Sequence, residues 1–182
     1  MKNLFIIIIS AVMLSACGTT SVLKANDTEA SSAKLDFAKY DAVFLVPFAD
    51  GTASQNLPDN ASAQFINALA IEIRKIDVFD VVTTQEPQLD GKAALSLGGT
   101  IDRYDTGDAG LRTIVGFGAG SSYFDATVTV SDKESGEQLG SFTVDKNSSP
   151  LGGLIAGAQS TNNFMSGAAK KIAKELEDAK DD

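Results

Sequence analysis

The chain has 182 residues, 43% apolar and 21% charged, with 16 Gly, 4 Pro and a mean hydropathy of +0.02, which excludes a disordered chain and a multi-span membrane protein and leaves room for one domain. It contains no His, no Trp and a single Cys, so His-dependent triads, His-ligated zinc, cysteine clusters and internal disulfides are excluded. With 15 Lys and Arg against 24 Asp and Glu the formal charge is −9, the wrong sign for nucleic acid, because phosphate binding needs a clustered excess of cations. The first element is an export-type segment. Lys2 supplies a positive start, Leu4 to Leu14 is apolar except at Ser10, and Leu14-Ser15-Ala16-Cys17 closes the run with small residues before the cysteine. The apolar run is too short for an ordinary membrane span.

The closing tetrapeptide Leu14, Ser15, Ala16, Cys17 resembles the lipobox of bacterial lipoproteins. The resemblance implies cleavage before Cys17 and acylation of its thiol and amine, by diacylglycerol and a fatty acid such as palmitate. Cys17 is then an anchor and not a nucleophile, and residues 1–16 are a lipoprotein signal peptide. The same resemblance implies that an Asp after the cysteine favours the inner membrane, so Gly18 points to the outer membrane facing the periplasm. Losing residues 1–16 with their one lysine takes the formal charge from −9 to −10. Acyl chains at about 0.8 kcal/mol per buried methylene then hold the chain to the bilayer, which its charge would not do. Residues 17–38 read as the lipidated Cys and a flexible tether, small and polar without a sustained period. Ser31-Ser32-Ala33-Lys34 in that stretch has the S-x-x-K spacing of penicillin-binding enzymes but lies away from any buried helix start, so it reads as coincidence.

Residues 39–182 read as a single α+β domain. Tyr40 to Phe48 is apolar on both faces and rich in β-branched and aromatic residues, which suits an interior strand. A turn-rich stretch from Ala49 to Pro58 follows. Asp59 or Asn60 then caps a helix to about Ile76, whose Ala63, Ile66, Leu69, Ala70, Ile73 and Ile76 recur at steps of three and four. Val78 to Thr84 is the next strand and completes a β-α-β unit. The period then changes to two. Leu95, Leu97, Gly99 and Ile101 alternate with Ala94, Ser96, Gly98 and Thr100; Phe124, Ala126, Val128 and Val130 with Tyr123, Asp125, Thr127 and Thr129; and Phe142 and Val144 with Ser141 and Thr143 in a run from Leu139 to Asp145. The polar connection Asp132 to Gly136 makes the last two strands a hairpin. A helix from about Thr161 to Asp178, striped by Phe164, Ala168, Ile172 and Leu176, ends in an acidic, solvated terminus. The expected architecture is a two-layer sandwich: a β-α-β start, an antiparallel meander and a C-terminal helix, with the helices on one face of a mixed, mostly antiparallel sheet.

Two glycine-rich segments hold the candidate interaction residues. Gly116-Phe117-Gly118-Ala119-Gly120 lacks the Lys-Ser/Thr of a P-loop and leads into a strand, so it reads as a loop or bulge and not a phosphate cradle. If strands three, four and five run up, down and up, this segment and Pro150 to Ala158 leave at the same end. Leu111, Ile114, Val115 and Phe117 then meet Leu151, Leu154 and Ile155. These residues form either a small satellite core beneath the loops or an exposed apolar patch that docks a protein partner, a second copy or the membrane. Near them, Asp102, Asp105 and Asp108 with Arg103 and Arg112 do not follow the ligand spacing of a calcium loop. They read as a turn with locally paired arginines, and no metal or other cofactor is expected.

Several segments together resemble a family of bacterial envelope lipoproteins known as domain of unknown function 4410. They are the lipobox at Cys17, the strand AVFLVPFAD, the segment Leu111-Arg112-x-x-Val115-Gly116-Phe117-Gly118-x-Gly120, the hairpin VTVSDKESGEQLGSFTV and the terminal AAKKIAKEL helix. The likeness spans about residues 38–176 and brings no catalytic residues or cofactor with it. The β-α-β start also looks like the periplasmic α/β domains of secretion-pore lipoproteins and of the Tol-system propeller protein, an analogy of fold alone. The expectation is a non-enzymatic, membrane-anchored lipoprotein serving as an interaction or assembly module, with a periplasmic small-ligand-binding module as the alternative.

Overall fold

The computed structural model describes residues 24–25, 36–53, 57–87, 91–107, 122–147 and 161–180. Its strands are β1 (Lys24–Ala25), β2 (Tyr40–Leu45), β3 (Ala49–Asp50), β4 (Val81–Thr83), β5 (Ala93–Asp105), β6 (Tyr123–Asp132) and β7 (Gln138–Asn147), and its helices are α1 (Ala61–Ile76) and α2 (Thr161–Lys180). They form the expected two-layer α+β arrangement: one sheet in the order β1-β7-β6-β5-β2-β4, with β3 paired beside β5. β2 runs parallel to both β4 and β5, which makes β2-α1-β4 the β-α-β unit, and β5-β6-β7 is an antiparallel meander.

Burial follows the two-residue period of the meander. Phe124, Ala126, Val128 and Val130 of β6 are buried beneath the helices while Asp125, Thr127 and Thr129 stay partly exposed on the other face. The core joins these to Leu95, Leu97, Ile101, Phe142 and Val144 and to the inner stripes of α1 and α2. Phe65 stacks edge-on between Phe48 and Phe124, with ring centroids 4.9 and 4.7 Å away. The buried face of α1 is therefore turned toward Phe65, and Ala63, expected on that face, is exposed. The larger side chain sets the rotation, since burying an aromatic ring removes far more apolar surface than burying a methyl.

Several elements differ from their expected bounds. The stretch after β2 is not all turn: Val46 N donates to Leu97 O (2.8 Å), Ala49 and Asp50 pair in parallel with Thr100 and Ile101, and Gly51 N donates to Ile101 O (2.9 Å). The chain keeps to the flank of β5 and satisfies backbone groups that a free turn would leave to water. β4 is only three residues, because Asp77 ends α1 in the left-handed conformation (φ 56°) and Phe79 turns into the core. Inside β5, Gly99 has φ +142°, and a Cβ there would lie 2.0 Å from Thr127 O, so the strand needs glycine at this point.

The stretch expected as a tether contributes to the fold. β1 pairs antiparallel with β7, Lys24 opposite Ser141 and Ala25 opposite Gly140. Phe37 is 1% exposed and its N–H donates to Ala179 O (2.8 Å). The C-terminal helix, expected to end solvated, thus packs on the entry to β2. Ala179 is buried, and Lys180 Nζ donates to the carbonyls of Ala38 and Tyr40.

Candidate functional site

The meander has two unlike ends. At the hairpin end, one carboxylate organises the turn. Asp132 Oδ1 accepts from the backbone N–H of Glu134 (3.0 Å) and Ser135 (2.9 Å) and from Ser135 Oγ (3.1 Å), while Tyr40 Oη donates to Oδ2 (2.8 Å). Gly136 takes φ +72° and donates back to Asp132 O. The bond from Ser135 N–H, followed by the Tyr40 hydroxyl, holds the Asp132 carboxyl below the usual carboxylate range. Burial, reinforced by the bond to Asp132, pushes the Tyr40 phenol up.

At the opposite, open end, Tyr123 pairs with Asp105 of β5 on one side and Asn147 of β7 on the other. The two glycine-rich segments, 108–121 and 148–160, therefore join the fold at the same end of neighbouring strands, as the up-down-up pattern requires. Their roots are fixed by the two buried polar side chains among the described residues. Ser122 Oγ donates to Thr106 O (2.7 Å) and Thr161 Oγ1 donates to Asp105 O (3.0 Å), with Ser122 0% and Thr161 3% exposed. Each buried hydroxyl meets a strand-end carbonyl and neither polar group is left unsatisfied. Asp105 itself folds into a local turn, its Oδ1 accepting from Gly107 N (2.7 Å).

The acidic cluster is a set of local bonds. Asp102 accepts from the hydroxyls of Thr100 and Thr127, both at 2.7 Å, tying β5 to β6 across the open face of the sheet. Arg103, expected to pair with a carboxylate, sits opposite Asp125 in register and stacks on the Tyr123 ring, 3.4 Å from its centroid. Among the described residues no group of three His, Cys, Asp or Glu is placed to hold a metal ion. Asp102, Arg103, Asp105 and Thr106 with Thr52 and Pro58 border an open cleft of about 550 Å³, and Tyr104 on its wall has a phenol pushed up by burial.

Cys17 and the lipobox residues Leu14, Ser15 and Ala16 lie outside the described residues, as do Leu111, Ile114, Val115, Phe117, Leu151, Leu154 and Ile155, and Asp108 and Arg112. The structure brings together the places where the two apolar segments attach. Ser122 and Thr161 carry no motif in the sequence. Their only signal is position, a hydroxyl at the first residue of a helix and another just before a strand, both bordering a glycine-rich run.

No curated protein matches the sequence. Among solved structures, the PelC dodecamer from Paraburkholderia phytofirmans has a similar fold, with a TM-score of 0.52 at 17% identity over 84% of this chain and 97% of that one. A single-residue variant of the same PelC, also a dodecamer, gives 0.53 at 18% identity over 89% and 98%. A minor lipoprotein from Acinetobacter baumannii is more distant, with a TM-score of 0.40 at 11% identity over 76% of this chain and 94% of that one. The sequence profile of the domain of unknown function DUF4410 matches residues 22–152, most of the chain, including β1 through β7 and the first glycine-rich segment. On that match the chain belongs to the DUF4410 family.

Proposed function

We propose that this protein is a bacterial lipoprotein held by an acylated Cys17 at the periplasmic face of the outer membrane, working without catalysis as an interaction and assembly module that associates with its own copies. The observation that carries the reading is positional: the chain's only cysteine stands at the one place where Leu14-Ser15-Ala16 makes it a lipid acceptor. Two or more acyl chains give effectively permanent attachment, so the domain acts where it is tethered.

Three observations support the rest. The chain has no histidine, and the carboxylates of Asp102, Asp105 and Asp132 are engaged in turns and in a cross-strand bond instead of converging on one another. The segments that hold Leu111, Ile114, Val115, Phe117, Leu151, Leu154 and Ile155 attach at one end of the sheet, which supports reading these apolar residues as the contact for a partner or a second copy. The fold is shared with PelC, which forms a dodecamer. Labelling with radioactive palmitate is expected to mark the wild-type chain and to fail with Cys17→Ala, in which the signal segment also stays uncut. A wild-type chain that takes up no label sinks the reading. Replacing Phe117 and Leu154 with Asp is expected to reduce the oligomer to monomer in size-exclusion chromatography of a still-folded domain; an unchanged mass removes those segments as the contact.

The second reading, a periplasmic small-ligand-binding module, is favoured by the cleft beside Asp102 and Thr106. Native mass spectrometry distinguishes it: a monomer that retains a small molecule through purification supports ligand binding over assembly.

A further inference from the structure

We propose that β1 is a releasable clip that gives the membrane leash of this protein two lengths. The inference rests on the lipid anchor proposed at Cys17 and adds how far from the bilayer that anchor lets the domain stand.

Between Cys17 and β2 the described chain is fastened to the domain at two places of unequal strength. The inner fastening is firm. Phe37 is 1% exposed, its ring meets Tyr40 edge-on with centroids 6.1 Å apart, and its N–H donates to Ala179 O (2.8 Å). Lys180 Nζ donates to the carbonyls of Ala38 and Tyr40 and lies 3.7 Å from Asp41 Oδ1, so freeing Phe37 means opening the core between α2 and β2. The outer fastening is slight. β1 is two residues, Lys24 and Ala25, at the end of the strand order, and among the described residues it pairs only with Ser141 and Gly140 of β7. A backbone hydrogen bond contributes about as much, net, as fixing one residue of chain costs, so so short a pairing sits near balance between closed and open. β7 does not need it, because β6 pairs with β7 along its whole length.

The two fastenings set two reaches, whatever course the chain takes between them. With β1 paired, seven residue steps separate Cys17 from the first fixed residue, Lys24, and their contour is at most about 25 Å at 3.3–3.6 Å per residue. With β1 released, the first fixed residue is Phe37, twenty steps from Cys17, and the limit rises to about 70 Å. Release therefore lets the domain meet partners well away from the bilayer without leaving its anchor, and re-pairing draws it back.

Hydrogen exchange on the full lipidated protein in phosphatidylethanolamine/phosphatidylglycerol vesicles reads the clip. The β1 amides are expected to be protected no more than about tenfold over a free peptide, against at least about a thousandfold for Phe124 to Val130 in β6. Equal protection of β1 and β6 overturns the clip, since β1 would then open only with the whole domain. Neutron reflectometry of the Lys24→Cys/Ser141→Cys protein on a supported bilayer of the same lipids reads the leash. The two positions lie directly opposite one another, a spacing that suits a disulfide, and acylation occupies the thiol of Cys17. Reducing that bridge is expected to carry the outer edge of the protein layer away from the bilayer, to the wild-type profile, while the wild type does not respond to the reductant. Coincident oxidised and reduced profiles overturn the two lengths. A pair that does not bridge under oxidation overturns the pairing of β1 with β7. A chain that takes up no palmitate overturns the anchor and the leash with it, an outcome distinct from the exchange of β1, which is read without reference to the lipid.

Discussion

The hairpin end and the open end of the meander are built from the same three strands, yet they are finished in different ways. At the hairpin end a single charged side chain, Asp132, satisfies a turn made of neighbours in sequence, and Tyr40 fastens it to β2. At the open end two neutral hydroxyls, Ser122 and Thr161, are buried completely and bond the carbonyls at the end of β5, one across the meander and one from α2. The first is local, partly exposed and dependent on charge. The second is long-range, buried and indifferent to pH in the physiological range. The contrast suits a domain that keeps one end simple and uses the other to hold the roots of two long glycine-rich segments in a fixed relation.

The comparison can be broken most severely between the two ends. Gly99→Ala puts a Cβ 2.0 Å from Thr127 O in a backbone conformation that L side chains avoid, and a loss of about 3–5 kcal/mol from strain and overpacking is expected by urea denaturation. A loss under about 1 kcal/mol would mean that β5 and β6 do not meet there as described. At the open end, Thr161→Val and Ser122→Ala each leave a strand-end carbonyl without its buried donor, at an expected cost of about 1–3 kcal/mol. Hydrogen exchange should then quicken in β5 from Ile101 onward and leave the hairpin protected.

At the hairpin end, Asp132→Asn is expected to cost about 1–2 kcal/mol at neutral pH, discounted for its partial exposure. Because folding holds the Asp132 carboxyl below its ordinary value of 3.8, its contribution is present above that value and is lost as the pH falls through and below it. The wild type should therefore lose stability more steeply than Asp132→Asn on acidification below about pH 5, and parallel curves would contradict the assignment. Tyr40→Phe is smaller still, about 1 kcal/mol. The folded state holds the Tyr40 proton more tightly than the unfolded chain, so its share persists below pH 10.0 and fades as the pH rises beyond it.

How legible each region was in the sequence follows the same division. The hairpin, with Asp132 to Gly136 between two alternating strands, is local and could be read directly, as could the one-sided strands and the β-α-β start. The α1 stripe was legible except for its rotation, because periodicity marks a face without weighing Phe65 against Ala63. The features that escaped are those made by partners distant in sequence. β3 is a strand only because β5 lies beside it, β1 only because β7 does, and Phe37 is core only because the end of α2 receives it. At the open end, the attachment of the two segments at one end of the sheet followed from counting strand directions. The hydroxyls that pin them carry no periodicity and had no such signal.

The group attached to Cys17 decides whether the chain is a lipoprotein. Intact-mass analysis of the mature protein extracted from membranes is expected to show a chain that begins at Cys17, lacks residues 1–16 and carries the added mass of a diacylglyceryl group and a fatty acid. A mature chain that retains residues 1–16, or one that begins at Cys17 with a free thiol, would contradict it.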